Sequence, residues 1–446
     1  MFAKVLIANR GEVALRIVRA CRELGVISVQ AYSAADADTL AVHEADERVR
    51  IGPASAAQSY LDFANVISAA TSRGVCAIHP GYGFLAENAD FARAVIAHDL
   101  TWIGPSPDSI ELMGDKSLAK RTMQRIGVPT VPGSDGPVAS LDEAVSFADA
   151  VGYPVLIKAS AGGGGRGMRA VAGPGELEVA FSSASAEALA AFGNGQVYLE
   201  KLLKSPRHIE IQVLADSHGN AVHLCERDCS VQRRHQKLLE EAPSPALSPE
   251  LRTQMGETAL KAVREVGYVN AGTVEFLLDD AGDFYFMEMN TRVQVEHPVT
   301  EEITRTDIIK EQLRIAAGER ISFLDRVPVE PCGHAIEFRI NAEDPTRDFL
   351  PSPGRITELR LPGGPGVRVD SHIYAGYSVP PNYDSLIAKL IVWGKDRTEA
   401  LARGRRALNE FKIEGIKTTI GFHERLLGIE DFIKGDVHTD FLERYL

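Results

Sequence analysis

The sequence is poor in basic charge and has no long apolar run, and each shortage excludes a class of protein. Its 48 lysines and arginines are outnumbered by 61 aspartates and glutamates, which gives a net charge of -13. Because a nucleic-acid surface needs a basic patch or stripe, nucleic acid is not an expected partner. No apolar run approaches membrane-spanning length, and the N-terminus lacks the features of a secretory signal. We therefore expect a cytoplasmic protein without a membrane partner.

Cysteine is also scarce, and its spacing argues against a metal or disulfide framework. The chain has five cysteines, of which only Cys225 and Cys229 lie close together. No second pair and no histidine cluster completes a zinc site. We interpret the cysteines as reduced residues that mostly fill the core.

The first 114 residues have the pattern of a doubly wound parallel-sheet domain. A β-rich run at 4–8 precedes a turn and a helical spacing of apolar residues, and a second strand is predicted at 26–32. This opening lacks the G-x-G-x-x-G dinucleotide fingerprint. Prolines and glycines between 128 and 137 then indicate a linker into a second, small domain. We expect domains at 1–114, 115–202 and 203–446, and an α/β (α+β) fold overall.

A glycine run after a predicted strand is a candidate phosphate site. Gly162, Gly163, Gly164 and Gly165 follow a strand that ends near Lys158. Glycine lets the backbone approach an anion and offer its N–H groups, and a lysine ammonium suits a triphosphate. No Gly-Lys-Ser/Thr follows, so this is not a Walker A loop. A glycine run alone is equally compatible with a flexible loop of no special role.

The segment 284–298 carries the strongest chemical signal. If it continues as a strand, its polar side chains share one face, since side chains alternate; they are Glu288, Asn290, Arg292, Gln294 and Glu296. A half-exposed strand with a solvated face would give the same alternation. Both charge signs, an amide and nearby Glu275 favour a site instead. Glu275, Glu288 and Asn290 offer the oxygen ligands that Mg²⁺ prefers.

Taken together, several motifs resemble the ATP-grasp superfamily, and within it the biotin carboxylases. The matches cover essentially the whole chain in order: 7–12, 79–88, the glycine run, 207–212, 226–237, 288–301, 339–344 and 351–354. The resemblance implies an ATP-grasp fold with an N-terminal doubly wound domain, a small mobile lid domain and a C-terminal mixed domain. It also implies ATP- and bicarbonate-dependent carboxylation of biotin through carboxyphosphate, as the first half-reaction of acetyl-CoA (acyl-CoA) carboxylase in fatty acid synthesis.

The resemblance also implies roles for individual residues. Lys116 and Lys158 would hold the ATP phosphates beneath the glycine lid, and two Mg²⁺ ions, with Mn²⁺ as a substitute, would bind Glu275, Glu288 and Asn290. Further nucleotide-site positions are Glu200, Lys201, Leu202, Leu203, His208, Gln232, His235 and Leu277. Lys237, Arg292, Gln294 and the Val295 backbone match a bicarbonate pocket. Glu296 would be the general base, Arg339 would stabilise the biotin enolate, and Tyr82 and Asp384 would lie near biotin.

The resemblance finally implies partners. Fused carboxylases carry a Met-Lys-Met biotin-attachment motif, whereas the last methionine here is Met289. We therefore expect a separate biotin carboxyl carrier protein, carboxyltransferase subunits and a homodimer. Two alternatives remain: an ATP-grasp ligase that joins a carboxylate to an amine, and a non-catalytic nucleotide-sensing protein. Arg292, Glu296 and Arg339 favour biotin carboxylation over the first, and the retained acidic residues oppose the second.

Overall fold

A computed structural model describes residues 1–134, 136–159, 168–192 and 195–445. Contacts divide the chain into two compact units. The first unit contains Met1–Val128, Arg207–Phe276 and Glu288–Leu446, and the second contains Pro129–Pro206 and Leu277–Met287. The three-part division at residues 114 and 202 stays a prediction.

The first unit opens with a five-stranded parallel sheet. Its strands are β1 (Lys4–Ile7), β2 (Ile27–Ser33), β3 (Glu47–Gly52), β4 (Ala77–His79) and β5 (Thr101–Trp102). The spatial order is β3-β2-β1-β4-β5, with every pairing parallel. The helices of this part are α1 (Gly11–Glu23), α2 (Leu40–Glu44), α3 (Phe63–Ser72), α4 (Ala89–Ala97), α5 (Pro107–Gly114) and α6 (Lys116–Arg125). The predicted doubly wound arrangement is confirmed.

Strand β1 shows how the sequence fixes this sheet, because its residues alternate between two buried layers. Val5 and Ile7 belong to the core that includes helix α1, whereas Leu6 belongs to the core on the other face. All three side chains are fully buried. A parallel sheet covered on both faces produces this continuous apolar run.

The second unit is a small three-stranded sheet with two helices. It contains α7 (Leu141–Val151), β6 (Val155–Ala159), β7 (Met168–Val171), α8 (Pro174–Phe192) and β8 (Val197–Lys201). Strand β6 lies in the centre and pairs antiparallel with both neighbours. Its core includes Ala144, Ile157 and Leu199.

The rest of the first unit is built on an eight-stranded sheet in the order β13-β12-β9-β10-β11-β14-β21-β19. These strands are β9 (Arg207–Ala215), β10 (Ala221–Arg233), β11 (Gln236–Ala242), β12 (Asn270–Leu278), β13 (Phe284–Asn290), β14 (His334–Asn341), β19 (Val367–Ser371) and β21 (Leu386–Gly394). From β9 to β19 the pairings are antiparallel. The ends of β12 and β13 that form their connection belong to the second unit.

Shorter elements complete the chain. The remaining strands are β15 (Glu343–Asp344), β16 (Leu350–Pro351), β17 (Gly354–Arg355), β18 (Glu358–Arg360), β20 (Ser378–Val379) and β22 (Lys412–Glu414). The helices are α9 (Pro249–Glu265), α10 (His297–Thr304), α11 (Ile308–Ala316), α12 (Arg397–Glu410), α13 (Ile420–Leu426) and α14 (Glu430–Lys434). Single 3-10 turns occupy Ala34–Asp36, Ala56–Gln58, Leu324–Arg326, Pro345–Arg347 and Phe441–Arg444.

Several helices begin where short polar side chains cap them. Ser248 accepts a hydrogen bond from the Leu251 N–H at the start of α9, and Asp396 accepts one from the Glu399 N–H at the start of α12. Such caps satisfy backbone donors that have no partner within the helix. Within the described residues, no helix combines the length and apolarity needed to cross a bilayer. All five cysteines are described, and each is free.

One local prediction is wrong. Strand β13 ends at Asn290, and residues 291–296 form turns before α10 begins at His297. Arg292, Gln294 and Glu296 therefore do not share a strand face with Glu288. The buried side chains of Thr291 and Val293 help to hold this turn in place.

Candidate functional site

Glu296 lies at the N-terminus of helix α10 and is enclosed by cations. Its Oε1 accepts a hydrogen bond from Lys237 Nζ at 2.7 Å, and its Oε2 accepts one from Arg339 Nη2 at 2.9 Å. Burial acts to raise the pKa of Glu296, but the charges of Lys237, Arg339 and Arg227 outweigh burial and lower it. Glu296 is therefore a carboxylate at neutral pH, with two charge-assisted hydrogen bonds.

Lys237 joins this carboxylate to two others. Its Nζ donates to Glu210 at 2.6 Å and to Glu275 at 3.0 Å, besides Glu296. Burial acts to lower the lysine pKa, but the three surrounding carboxylates raise it well above its ordinary value. Lys237 is therefore a permanent cation, and it connects Glu296 to the carboxylate predicted to bind metal.

Arg227 stabilises this network through hydrogen bonds, and the sequence analysis did not predict its role. It lies in β10, is fully buried and donates to five side chains: Glu210, Gln212, Thr273, Gln294 and Thr300. Gln294 in turn donates to Glu275 at 2.7 Å. A buried guanidinium needs this many partners to offset desolvation. Its place in the motif 226–237 was visible in the sequence, but its partners were not.

Glu275, Glu288 and Asn290 form an oxygen-rich group. Lys116 Nζ lies 2.9 Å from Glu288, and the pKa of Lys116 is raised by its hydrogen bond to Glu288 and then by the charges of Glu288 and Glu275. Asn290 donates to Glu275 at 2.8 Å. Burial acts to raise the pKa of Glu275, but the charge of Lys237 outweighs burial and holds it well below its usual value. Two carboxylates and an amide oxygen suit a hard divalent cation.

Arg292 is fixed by a residue that the sequence prediction did not include. Its Nε donates to Glu87 at 2.7 Å, and its Nη2 donates to Asn290 Oδ1 at 2.8 Å. Glu87 also accepts from the Thr291 N–H at 3.0 Å. Because Glu87 lies 205 residues before Arg292, its spacing carried no local signal. The match to 79–88 contained the residue but assigned it no role.

His208 and Gln232 lie together, whereas His235 lies apart from them. Gln232 Nε2 is 2.7 Å from His208 Nδ1, and His208 Nε2 is 2.9 Å from Glu275. Because the amide N–H donates to Nδ1, the ring hydrogen belongs on Nε2, where it faces the carboxylate. His235 is exposed in the turn between β10 and β11 and has a positive φ of 63°.

Tyr82 and Asp384 lie beside a cavity of about 140 Å³ that also contacts Arg10 and Glu12. The Tyr82 hydroxyl donates to Glu12, and Asp384 lies 3.6 Å from Arg10. Lys389, which is fully buried, lies 3.1 Å from Glu12 and donates to the Val295 carbonyl at 2.8 Å. A chain of contacts therefore runs from Tyr82 to the peptide that precedes Glu296. Glu12 and Lys389 were not predicted.

The other predicted nucleotide positions belong to the second unit. Lys158 pairs with Glu200, and Lys201 Nζ donates to the Gly152 carbonyl at 2.8 Å. Three further predicted residues are half-buried there: Leu202, Leu203 and Leu277. The predicted glycine lid lies outside the described residues: Gly162, Gly163, Gly164 and Gly165.

Three family models match the chain. A biotin carboxylase N-terminal domain model matches residues 1–110, the ATP binding domain model of the carbamoyl-phosphate synthase L chain matches 115–324, and a biotin carboxylase C-terminal domain model matches 337–444. The chain belongs to the biotin carboxylase family. Biotin carboxylases are ligases, and the chain is an enzyme of this class; the ATP binding domain carries Glu275, Glu288 and Glu296.

Individual relatives agree over the full length. The biotin carboxylase of Nostoc sp. is 58% identical over 443 residues, which cover 99% of each chain. A pyruvate carboxylase component of Methanothermobacter thermautotrophicus is 55% identical, with 100% of this chain and 90% of that one covered. These relatives confirm the predicted family.

Solved biotin carboxylase structures confirm the predicted fold. The Campylobacter jejuni biotin carboxylase, solved as a β-γ-ATP complex, superposes with a TM-score of 0.92 at 49% identity, covering 100% and 99% of the two chains. The biotin carboxylase domain dimer of Hydrogenobacter thermophilus 2-oxoglutarate carboxylase has a TM-score of 0.90 at 50% identity, covering 100% and 98%. That dimer is a complex with MgADP, ADP and bicarbonate.

Proposed function

We propose that the chain uses ATP and bicarbonate to carboxylate biotin on a separate carrier protein, through carboxyphosphate. The observation that carries this proposal is the position of Glu296 between Lys237 and Arg339. One carboxylate thereby contacts a cation assigned to bicarbonate and a cation assigned to biotin. An ATP-grasp ligase with another acceptor would not need Arg339 at this position.

In the first step, Glu296 accepts the bicarbonate proton while a bicarbonate oxygen attacks the ATP γ-phosphate, so that ADP leaves and carboxyphosphate forms. Lys237, Arg292, Gln294 and the Val295 backbone hold the anion. With Lys237 and Arg339 on its two oxygens, Glu296 is a weak base. An anion that draws Lys237 toward itself removes part of this charge stabilisation, so the pKa of Glu296 rises as bicarbonate binds.

ATP would be held by a larger set of residues, each assigned by resemblance. Lys116 and Lys158 suit the phosphates; Glu200, Lys201, Leu202 and Leu203 suit the adenine end, with His208, Gln232, His235 and Leu277 as further contacts. The oxygen group of Glu275, Glu288 and Asn290 would hold Mg²⁺, in two ions that Mn²⁺ can replace. The metal would neutralise triphosphate charge, which phosphoryl transfer requires.

In the second step, carboxyphosphate gives carbon dioxide and phosphate, and the phosphate takes the ureido proton of biotin. Arg339 then stabilises the enolate by its fixed positive charge, and the deprotonated ureido nitrogen attacks carbon dioxide to form carboxybiotin. Tyr82 and Asp384 line the cavity assigned to the biotin end. Biotin is a carried substrate here, and it arrives on the biotin carboxyl carrier protein.

The physiological context we propose is an acetyl-CoA (acyl-CoA) carboxylase of fatty acid synthesis, acting as a homodimer in the cytoplasm with carboxyltransferase subunits. Similar chains include a 2-oxoglutarate carboxylase domain and a component of pyruvate carboxylase. Reconstitution with each class of transferase, followed by assay of each acceptor, distinguishes these contexts. Carboxylation of pyruvate or 2-oxoglutarate alone would contradict the acyl-CoA assignment.

ATP cleavage by the purified chain tests the reaction itself. We expect bicarbonate-dependent ADP release that free biotin stimulates, and carboxybiotin that forms in step with that stimulation. Omission of bicarbonate is the matched control, since an ATP-grasp ligase with another acceptor would not depend on it. ADP release at a rate that depends on neither bicarbonate nor biotin would overturn the proposal.

A further inference from the structure

Glu240 and Glu337 face each other within the eight-stranded sheet. They are directly opposite in the antiparallel pairing of β11 with β14, so their Cβ atoms lie about 5 Å apart on one face of the sheet. Both residues are fully buried. Among the described residues, neither oxygen of Glu337 has a hydrogen-bond partner, and Glu240 Oε2 also has none. Three carboxylate oxygens are thus left without a donor in one place.

The nearby cations are already paired with other groups. Arg339 Nε donates to Glu240 Oε1 at 2.6 Å, and its Nη2 contacts Glu240 and Glu296. Lys389 contacts Glu12 and the Val295 carbonyl. No cation among the described residues therefore forms an ion pair with Glu337, although an ionised buried carboxylate is costly without one.

Among the described residues, helices α10 and α12, which also pack on β14, supply no further cation that faces Glu337. Glu296, at the N-terminus of helix α10, is the acidic group there that acts on Glu337, and Glu301 of that helix is paired with Arg16 and Arg368. Helix α12 packs against the opposite face, where Gly404 lies close to the Phe338 ring. The field at Glu337 is therefore set by Glu240, Glu296, Arg339 and Lys389.

One proton would give two of these three oxygens a hydrogen-bond partner and would remove one buried negative charge. We propose that Glu337 is an un-ionised carboxylic acid that donates a hydrogen bond to Glu240, and that this bond fixes Glu240 as the acceptor that orients Arg339. Glu337 is then a positioning residue that acts through Glu240. This part rests on the proposed role of Arg339 at biotin; the shared proton does not.

The direction of the pKa shifts agrees with the geometry. Burial raises the pKa of Glu337, Lys389 opposes that rise, and the neighbouring charge of Glu240 adds to it, with a net value well above the ordinary one. The pKa of Glu240 is also raised by burial, against the opposing charge of Arg339. Two carboxylates that cannot both ionise share one proton.

Infrared spectroscopy of the purified full chain tests the shared proton without any assay of activity. We expect a carbonyl band of an un-ionised carboxylic acid at neutral pH, which moves on ¹³C-glutamate labelling. The band should disappear in Glu337→Gln and persist in Glu241→Gln. Glu241 is the matched control, because it is buried on the same strand as Glu240 but paired with His334 and Arg397. Absence of the band from the unmodified chain, or its persistence in Glu337→Gln, would overturn the proposal.

Two variants test the positioning role. The amide of Glu337→Gln can still donate to Glu240, so carboxybiotin formation should stay within about threefold of the unmodified rate. Glu337→Leu removes the donor, and carboxybiotin formation should fall about 10- to 100-fold while bicarbonate-dependent ADP release changes little. Equal losses in both variants would overturn this role. If Glu337→Leu does not fold, Glu337→Gln alone tests the positioning role. A fall in carboxybiotin formation in Glu337→Gln as large as that expected for Glu337→Leu would then overturn it.

The outcomes separate this inference from the proposed function. An assigned Glu337 band in a chain that makes no carboxybiotin would support the shared proton and contradict biotin carboxylation. Carboxybiotin formation by a chain without the band would support biotin carboxylation and contradict the shared proton.

Discussion

The two faces of strands β11, β14 and β21 are both buried but differ in chemistry. One face carries Leu239, Phe338 and Leu390 in a core that includes residues of α12. The other carries the ionisable side chains of Glu240, Glu337, Arg339 and Lys389. The comparison teaches that one sheet can stabilise the fold by apolar burial on one face while it supports charge chemistry on the other.

The largest effect on stability should come from removing a buried cation that stabilises the fold. Lys389→Met leaves Glu12 and the Val295 carbonyl buried without their cation. Removal of one partner of a buried pair typically costs about 3–5 kcal/mol, so the free energy of unfolding should fall by that amount in a denaturant titration. Exposed Lys395→Met is the control and should change it little. A loss equal to that of the control would show that Lys389 does not stabilise this face.

A substitution on the apolar face should lower the stability of the fold without changing turnover. Leu390 is fully buried, so Leu390→Ala should lower the free energy of unfolding by about 2–5 kcal/mol through lost burial and a cavity. The turnover of the protein that remains folded should be unchanged. Leu361→Ala, at a side chain that is 47% exposed, is the control. A selective loss of carboxybiotin formation in Leu390→Ala would contradict the separation of the two faces.

Loss of Arg339 should change activity, and the change should differ between ATP cleavage and carboxybiotin formation. Arg339→Ala should lower carboxybiotin formation about 100- to 1000-fold, the effect of losing a charge at an oxyanion. Bicarbonate-dependent ADP release should persist, because Lys237 still contacts Glu296 and keeps it ionised.

Glu296→Ala provides the matched comparison, since loss of the base should reduce ADP and carboxybiotin together. Both products are measured in parallel on variants first checked for folding. If Arg339→Ala loses both products equally, Arg339 supports ATP cleavage or the fold, and the assignment to biotin is wrong.

The smallest effect should be a change in how stability depends on pH. Since folding raises the pKa of Glu337, the folded chain binds an extra proton above the ordinary glutamate pKa. Stability is then lost as pH rises toward the folded pKa, by at most about 1.4 kcal/mol per unit. Glu337→Gln should remove this part of the slope.

Glu241→Gln is the control for that slope. Hydrogen bonding and charge from His334 and Arg397 overcome burial and lower the pKa of Glu241 to about 2, so its contribution is complete at neutral pH and is lost only in acid. The two variants should therefore differ in slope between mildly acidic and alkaline pH. Identical slopes in denaturant titrations across that range would contradict an un-ionised Glu337.

The sequence by itself determined many of the helices and strands and which functional side chains the motifs contain. The apolar run of β1, the caps of α9 and α12 and the motifs at 226–237 and 288–301 are local, so period and spacing express them directly. The α/β class and the oxygen group of Glu275, Glu288 and Asn290 were predicted on that basis, whereas family membership was predicted from the resemblance of the motifs to those of biotin carboxylases. The predicted extension of β13 beyond Asn290 was wrong, because polar and apolar residues continue to alternate in the sequence after the backbone has left the strand.

Only the tertiary structure decided which charges meet. Arg292 finds Glu87 from a distant part of the chain, and Lys389 reaches both Glu12 and the Val295 carbonyl. Arg227 acquires five partners from two strands, a turn and a helix. These contacts depend on strand order and register, which the sequence pattern of a single strand does not encode. The same register places Glu240 opposite Glu337, and burial of that pair, a property of the folded chain alone, is what favours a shared proton.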